Sequence, residues 1–557
     1  MKNKKFGHIE LINNIWNITK VEPHVSIKLK NIFPKIGKTQ VCPYKFKNTD
    51  EVCADLFWFL GRYPLEISKK DFQILSNGKK KYDKKVDYLE EIISNPSINL
   101  NSNLNLKPEV KIRNYQLQVN EILTTNKILI CGDDVGLGKT YSGIVSILGK
   151  EKLPAAIVVQ THLPNQWENK IKEISYLKTH IVKGTKPYSL PEADVYIFKY
   201  SILSGWVDIF NQGIFKSVIF DEIQELRAGF NTNKGMAASI ICKNATYKLG
   251  LSATPIYNYG DEIWNIYNIL EEKILGNRDD FLREWSDGTF VKNKIIISDP
   301  QALGSYLRES FLLLRRTKKD VGQFLSPVNK LIYNVQYDEN KVKSCMGIAE
   351  KLAIKSLTGT FVERGQSARE LDLLLRHYTG VSKAKYVAEF VKVFLENKTP
   401  IILVGWHREV YDIWLEELQD YNPLMYTGSE SGLQKENNVK NFIDGKSDLL
   451  ILSSRSGAGL DGLQKRSSIV VFGELDWSPQ VHEQVIGRLY REGQTENVMA
   501  IYLVSEFGSD PLIVDLLSVK SSQSNAIMNP ESEELLNYSD NTRMKELALR
   551  VLNMKKK

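Results

Sequence analysis

A chain of 557 residues with a formal net charge of +8 is too long for one hydrophobic core, and at ~150 residues per unit it divides into three or four domains. Hydrophobic content of 42% and charged content of 25% exclude a disordered or fibrous chain and leave ample apolar material for several cores. Met1 to Ile15 lacks the apolar centre of a signal peptide and no uninterrupted apolar run reaches ~18 residues, so a soluble intracellular protein without a membrane span is expected. The 74 Lys and Arg against 66 Asp and Glu permit a local basic groove for nucleic acid without requiring one. Five cysteines, Cys42, Cys53, Cys131, Cys242 and Cys345, stand singly with no Cys-x-x-Cys pair. That spacing predicts free thiols in a reducing compartment and no zinc site.

In chain order, residues 1–106 read as an N-terminal accessory region of mixed α+β character. A strand is expected at Val25–Leu29, the aromatic cluster Phe57-Trp58-Phe59 reads as core, and a basic stretch runs from Lys79 to Lys85. The polar Asn/Ser-rich segment Ser94–Asn105 reads as a linker. From Val110 short apolar runs alternate with longer amphipathic stretches: Ile128–Cys131, Ala156–Val159, Val195–Phe198 and Val218–Phe220. Continuous apolar runs of this length are buried parallel strands, so residues 107–325 are expected to form an α/β domain. The rhythm returns at Ile401–Val404, Leu449–Leu452, Ile469–Phe472 and Val498–Tyr502, which predicts a second α/β domain over residues 326–528. Tyr257–Val321 and Asn340–Lys385 look mostly helical, and residues 529–557 form a polar tail with no readable chemistry.

The strongest local signal is Asp133-Asp-Val-Gly-Leu-Gly-Lys-Thr140, which follows a strand and opens a helix. Gly136 and Gly138, flanking Leu137, let backbone N–H groups face phosphate oxygens with no Cβ in the way, and the helix start adds partial positive charge. Lys139 is then the β,γ-phosphate ligand of ATP and Thr140 the Mg2+ ligand. Asp133 stands where the general phosphate-loop pattern has glycine. Some eighty residues on, the apolar strand Val218–Phe220 runs into Asp221-Glu222-Ile-Gln224. A carboxylate pair at a strand end suits Mg2+-dependent hydrolysis, with Asp221 binding the metal through water and Glu222 orienting and deprotonating the attacking water. Alone the pair would be an ordinary surface loop. Gly250-Leu-Ser-Ala-Thr-Pro255 suits a hinge or a plain turn. Near the far end comes Gln484-Val-Ile-Gly-Arg488-Leu-Tyr-Arg491-Glu-Gly-Gln494. Arg488 and Arg491, three residues apart, are expected on one helix face, aimed at a γ-phosphate held by the other domain.

Together these segments resemble the Snf-type ATP-dependent DNA translocases of helicase superfamily 2, from about Ile112 to Lys520. The resemblance implies an α/β fold: two tandem RecA-like domains with parallel sheets flanked by helices, helical insertions, and here an extra N-terminal α+β region. It nominates Arg113 and Gln116 for adenine recognition, and it counts Asp133 with the nucleotide-binding residues, since an aspartate there is the family's own usage in the phosphate loop. Val158–Thr161 through Gln166-Trp167 resembles the first DNA-contacting motif, and Tyr426-Thr-Gly-Ser429 a DNA-contact loop of the second domain. Thr161, Lys199, Tyr200, Thr427 and Ser453 are the implied nucleic-acid contacts. Ser453–Leu463 resembles the motif before the arginines, with Gly457, Gly459 and Asp461 in coupling roles, and Gln484, Gly459, Asp461 and Gln224 are counted with the nucleotide site. Leu313–Val321, containing Arg315-Arg-Thr-Lys318, is typical of this family, and Val470–Gln480 resembles the annealing-helicase and fork-remodelling branch. Gln224 departs from the family's usual His, and residues 1–106 match no accessory module.

The resemblance implies ATP and Mg2+, duplex or branched DNA as partner with RNA as an alternative, a monomer, and a cytoplasmic, nucleoid-associated place in a bacterial or phage-infected cell. A strand-separating helicase on DNA or RNA, and a nucleotide-gated binding module with little turnover, remain the competing readings.

Overall fold

The computed structural model describes residues 4–33, 36, 40–94, 106–253, 260–286, 290–291, 294–295, 297–322, 328–454 and 460–519, with 549 and 552. The N-terminal module is an antiparallel sheet of β1 (His8–Ile12), β2 (Ile15–Thr19) and β3 (Tyr44–Lys47), carried with α1 (Pro23–Ile32), α2 (Asp50–Arg62) and α3 (Lys69–Ser94). The strand expected at Val25–Leu29 is part of α1. Pro23 opens the helix, and Val25 and Leu29, one turn apart, are the two residues it buries; the β-branched residues there disguised a helical period. The aromatic cluster splits, with Phe59 in the core, Phe57 half-buried and Trp58 exposed. Of the expected linker only Ser94 lies within the described residues.

Helix α3, 26 residues and about 39 Å long, belongs to two cores at once. Leu75 packs in the module, whereas Leu89 and Ile92 pack in the first α/β domain. Lys85 donates to Asn126 Oδ1 at 2.6 Å, and Gln118 Nε2 to the Ile92 carbonyl at 2.7 Å.

The first α/β lobe runs α4 (Asn114–Asn126), β4 (Ile128–Cys131), α5 (Lys139–Val145), β5 (Ala155–Val159), α6 (Pro164–Ile174), β6 (Thr179–Ile181), β7 (Val195–Lys199), α7 (Val207–Asn211), β8 (Ser217–Asp221), α8 (Asn233–Asn244) and β9 (Tyr247–Leu251). Then follow α9 (Gly260–Leu270), α10 (Arg278–Trp285), a small hairpin β10 (Phe290–Val291) and β11 (Lys294–Ile295), α11 (Pro300–Glu309) and β12 (Leu313–Leu314). Its seven strands are parallel in the order β12-β4-β9-β8-β5-β7-β6.

The second lobe runs β13 (Asn329–Asn334), α12 (Glu339–Thr358), α13 (Phe361–Glu396), β14 (Ile401–Gly405), α14 (Arg408–Glu417), β15 (Leu424–Tyr426), α15 (Gly432–Ile443), β16 (Leu449–Ser453), β17 (Ile469–Phe472), α16 (Pro479–Leu489), β18 (Met499–Val504) and α17 (Asp510–Val519). Its six parallel strands take the order β13-β18-β17-β14-β16-β15. Both lobes are thus RecA-like α/β layers, as expected.

The apolar runs follow from this layering. Ile128 and Ile130 join the core on one side of the first sheet, Leu129 and Cys131 the core on the other. With both faces covered, no residue of such a strand is left to be polar. All five cysteines are free thiols, no cluster of metal-ligating side chains occurs among the described residues, and no described helix is long and apolar enough to cross a membrane.

One buried ion pair ties the second lobe together. Lys383 on α13 donates to Asp510 Oδ2 and to the Leu503 carbonyl, each at 2.6 Å, with both side chains almost wholly buried. Asp510→Ala leaves that ammonium buried and unpaired and is expected to destabilise the lobe by about 3–5 kcal/mol, read as a lowered urea midpoint. Lys383→Met combined with Asp510→Ala should recover part of the loss.

Candidate nucleotide site and nucleic-acid groove

The phosphate loop leaves β4 at Cys131 and enters α5 at Lys139. Gly136 (φ 94°) and Gly138 (φ 74°) adopt left-handed backbone, which side chains disfavour. A Cβ on Gly138 would lie 2.8 Å from Gln116 Nε2, so a larger residue there would displace that amide as well as take a strained backbone. The start of α4 holds the loop from that side: Tyr115 OH and Gln116 Nε2 both donate to the Leu137 carbonyl, at 3.0 and 3.3 Å. Leu137 turns its own side chain inward and is 1% exposed. Lys139 Nζ donates to the Asp133 and Asp134 carbonyls, at 2.7 and 3.2 Å, and burial pulls its pKa down. The ammonium is thus tethered inside the loop, poised for an anionic replacement of those carbonyls.

Asp133 was nominated for the nucleotide, but its carboxylate is committed elsewhere. It is 1% exposed and takes Arg316 Nε at 3.0 Å, Arg316 Nη2 at 2.5 Å and the Arg316 amide at 3.1 Å. Arg316 also donates to the Tyr115 carbonyl and to Gln118 Oε1, while Arg315 donates to the Gly132 carbonyl and pairs with Asp134. The Arg-Arg segment after β12 therefore clamps the back of the phosphate loop. Asp133 shapes the site without facing the cavity.

At the end of β8, Asp221 accepts from Trp167 Nε1 at 2.8 Å. Burial, then the neighbouring Glu222, push its carboxyl up to about 7, against the opposing pull of Trp167, Lys139 and Arg488. Glu222 sits at φ 53°, a left-handed backbone rare for a non-glycine residue. Its carboxylate accepts from Gln224 Nε2, and Gln224 Oε1 is buried without a partner in the structure. Two adjacent carboxylates and Thr140 line one cavity, an all-oxygen set that fits Mg2+.

The second lobe closes this cavity. Arg488, Arg491, Gln484, Leu460 and Asp461 line it opposite Lys139, Thr140, Asp221 and Glu222. The arginines do not share a helix face as expected. Helix α16 ends at Leu489, Tyr490 is its cap with ψ 73°, and Arg491 lies beyond it. Both nonetheless reach the cavity, because the chain folds back over the phosphate loop: a Cβ on Gly136 would be 3.0 Å from Arg491 Cβ. Arg491 Nη1 lies 3.3 Å from Asp461 Oδ1. Arg488 Nε is buried with no partner in the structure, a donor left for an anion. Gly457 and Gly459 lie outside the described residues, as do Thr254 and Pro255.

Contacts between the lobes hold the cleft shut. Arg113 pairs with Glu492, and Lys318 donates to the Tyr490 carbonyl with its Nζ 3.5 Å from the centre of the Tyr490 ring. The enclosed space is about 100 Å³, whereas ligand pockets span roughly 300–1,000 Å³. A nucleoside triphosphate therefore enters only after the lobes part.

Beside this cavity lies an open groove of about 1240 Å³ between the lobes, lined by Thr161, Lys170, Lys183 and Lys199 from the first and by Tyr426, Lys435 and Lys440 from the second. Thr161 and Lys199 line this groove. Tyr200, Thr427 and Ser453 do not. Tyr200 is buried with its hydroxyl on the Asp221 carbonyl at 2.9 Å, Thr427 is 1% exposed and bonded to Glu430, and Ser453 is buried at the end of β16. Lys170 of α6 and Lys435 and Lys440 of α15 line the groove as well, and nothing in the sequence of either helix marks which face meets the other lobe.

Arg316→Met is expected to strand the Asp133 carboxylate, costing about 3–5 kcal/mol of stability and weakening a fluorescent ATP analogue at least tenfold. Asp221 would hold Mg2+ only when ionised, and its ionisation grows as pH rises through about 7. Mg2+-dependent tightening of that analogue should therefore strengthen between pH 6 and pH 8, and lose this pH dependence in Asp221→Asn.

Two family models match in tandem: the SNF2-related domain over residues 66–377 and the helicase conserved C-terminal domain over residues 382–493. A Drosophila melanogaster relative, SWI/SNF-related matrix-associated actin-dependent regulator of chromatin subfamily A-like protein 1, is 25% identical over 72% of this chain and 53% of its own length. The human DNA annealing helicase and endonuclease ZRANB3 is 24% identical over 74% of this chain and 40% of its own. Among solved structures, the Sulfolobus solfataricus SWI2/SNF2 ATPase core in complex with dsDNA is 20% identical, covering 78% of this chain and 97% of that one, with a TM-score of 0.38. This chain thus spans about half the length, or less, of those two curated relatives. With the SNF2-related model alone covering more than half of its residues, the chain belongs to the SNF2-related family of helicase superfamily 2.

Proposed function

We propose that this chain is a nucleic-acid-stimulated ATP hydrolase that converts opening and closing of its two lobes into movement along DNA. The observation that carries the reading is the composite cavity: Lys139, Thr140, Asp221 and Glu222 from one lobe meet Arg488 and Arg491 from the other. In this reading Lys139 leaves its two loop carbonyls for the β and γ phosphates, and Arg113 and Gln116 take the adenine. Arg113 is paired with Glu492 across the cleft, so taking the base and releasing the lobes are one event. Thr140 and Asp221 would hold Mg2+, which would supply neutralisation of the phosphate charge. Glu222 accepts a proton from water as that water attacks the γ-phosphorus and the bond to the β,γ-bridging oxygen breaks, releasing ADP. Arg488 and Arg491 stabilise the charge on the transferring group, and only in the closed form.

DNA lies in the groove next to the cavity, with Thr161 and Lys199 against phosphates. Backbone contacts of this kind tolerate sequence and weaken with salt. The human relative is named a DNA annealing helicase, and the Val470–Gln480 segment supports branched or forked DNA as the substrate here. Strand separation is the second reading. The Leu313–Val321 segment, with Arg316 on the phosphate loop, favours translocation on the duplex.

Steady-state ATP hydrolysis measured with single-stranded, duplex, forked and four-way DNA and with RNA tests the proposal. Duplex and branched DNA should stimulate it most, and Arg488→Ala should lower kcat by about 10³-fold while leaving nucleotide affinity within a few fold. Displacement of a triplex strand should accompany hydrolysis. Fast duplex unwinding without triplex displacement, or stimulation by RNA alone, contradicts the translocase reading.

A further inference from the structure

The chain's basic surplus is not spread over the motor. Residues 1–94 carry 18 Lys and Arg against 11 Asp and Glu, which is seven of the eight net charges. The two α/β lobes and the tail are together almost neutral. A compact module with that surplus attracts polyanions ahead of any other partner.

The same module presents aromatic rings to solvent. Of the nine tryptophans, Trp58 is the one exposed in the structure, at 57%, and Phe72 is 44% exposed. Their neighbour Phe57 ties them to one region: its ring centre lies 5.7 Å from that of Phe72 and 5.7 Å from Lys79 Nζ. Tryptophan is costly to leave in water, and the module already has an aromatic core of Trp16, Tyr44 and Phe59. The same two helices expose cations, Arg62 one turn after Trp58 on α2 and Lys69, Lys80 and Lys84 along α3, while the exposed acids Asp55 and Glu51 lie one and two turns before Trp58.

We propose that this α2–α3 face is a second nucleic-acid site, which stacks unpaired DNA bases on Trp58 and Phe72 and holds the strand's phosphates on the exposed lysines of α3. Every base offers a π-face, so stacking is sequence-tolerant and is worth about 1–3 kcal/mol per base. Paired bases hide those faces. The aromatics therefore select single-stranded arms, while the lysines add affinity for any phosphate backbone. Because α3 is continuous from this face into the core of the first lobe, the site is fixed to the motor by a rigid helix. A strand held there keeps a constant position relative to the groove. That the motor works on DNA rests on the function proposed above; base binding at Trp58 does not.

The test uses the full chain without nucleotide and three fluorescein-labelled probes: a 20-residue thymidine oligonucleotide, a blunt 20-base-pair duplex, and a fork with two thymidine arms. Trp58→Ala with Phe72→Ala should weaken the single strand and the fork about tenfold or more and leave the duplex within twofold. Its melting temperature and DNA-free hydrolysis should match the wild type, since both side chains are exposed. Lys80→Glu with Lys84→Glu should weaken all three probes and flatten the dependence on salt. Unchanged affinity of the aromatic variant for the single strand and the fork overturns the inference, as does an equal loss on the blunt duplex. Stimulated hydrolysis, measured in parallel, separates the two proposals. Binding through Trp58 with no stimulation by any DNA upholds this site and removes the motor; stimulation with no effect of the aromatic variant does the reverse.

Discussion

The buried pair between Asp133 and Arg316 is the constraint on which the nucleotide site depends. A carboxylate 1% exposed is tolerable only when its charge is met and its lone pairs are filled, and Arg316 does both with two side-chain donors and its own amide. The remaining Arg316 donors go to α4, at the Tyr115 carbonyl and Gln118. One guanidinium thus joins the phosphate loop, helix α4 and the end strand β12. The tie links residues 183 positions apart in sequence, so the loop takes its shape only once the first lobe is complete.

From that clamp the chain continues directly into the contacts that govern closure. Two residues after Arg316, Lys318 passes over Gly136 and reaches the Tyr490 carbonyl and ring, at the end of the helix that carries Arg488. Burial lowers its pKa to about 8, and Arg491 and Lys139 add to that while Asp134 opposes it. The segment that holds the phosphate loop from behind also holds the arginine-bearing turn from the front. Parting the lobes breaks Lys318–Tyr490 and Arg113–Glu492 together, at positions that border the nucleotide cavity.

How much of this was legible in the sequence differed with the kind of physics involved. The strands at Ile128–Cys131, Leu449–Leu452 and their fellows were readable because burial on both faces writes itself as an apolar run. Strand β9, central in the first sheet, was not, since Lys248 and Gly250 interrupt its pattern. Lys248 stays buried by pairing with Glu271, and Gly250 leaves room for Ile223, which a Cβ would meet at 2.4 Å. Val25–Leu29 failed for the opposite reason, because β-branched residues suit a strand until Pro23 and a one-turn burial period make them a helix. Tyr200 and Thr427 looked like surface contacts beside the right motifs, but which side of a strand end points outward is decided by the neighbours that accept their hydroxyls.

The phosphate loop, the acidic pair and the two arginines were each written in local sequence, because each needs particular residue types at short spacing on one strand end or turn. Sequence alone therefore determined the chemistry of the site and the two-domain α/β plan. Tertiary structure decided that Asp133 supports the loop instead of the nucleotide, that Arg491 reaches the cavity from beyond the helix, and that the accessory module shares α3 with the first lobe. It also decided where Trp58 faces. Each of these turns on pairs hundreds of residues apart or on which side of a helix finds a partner, and no periodicity along the chain encodes either.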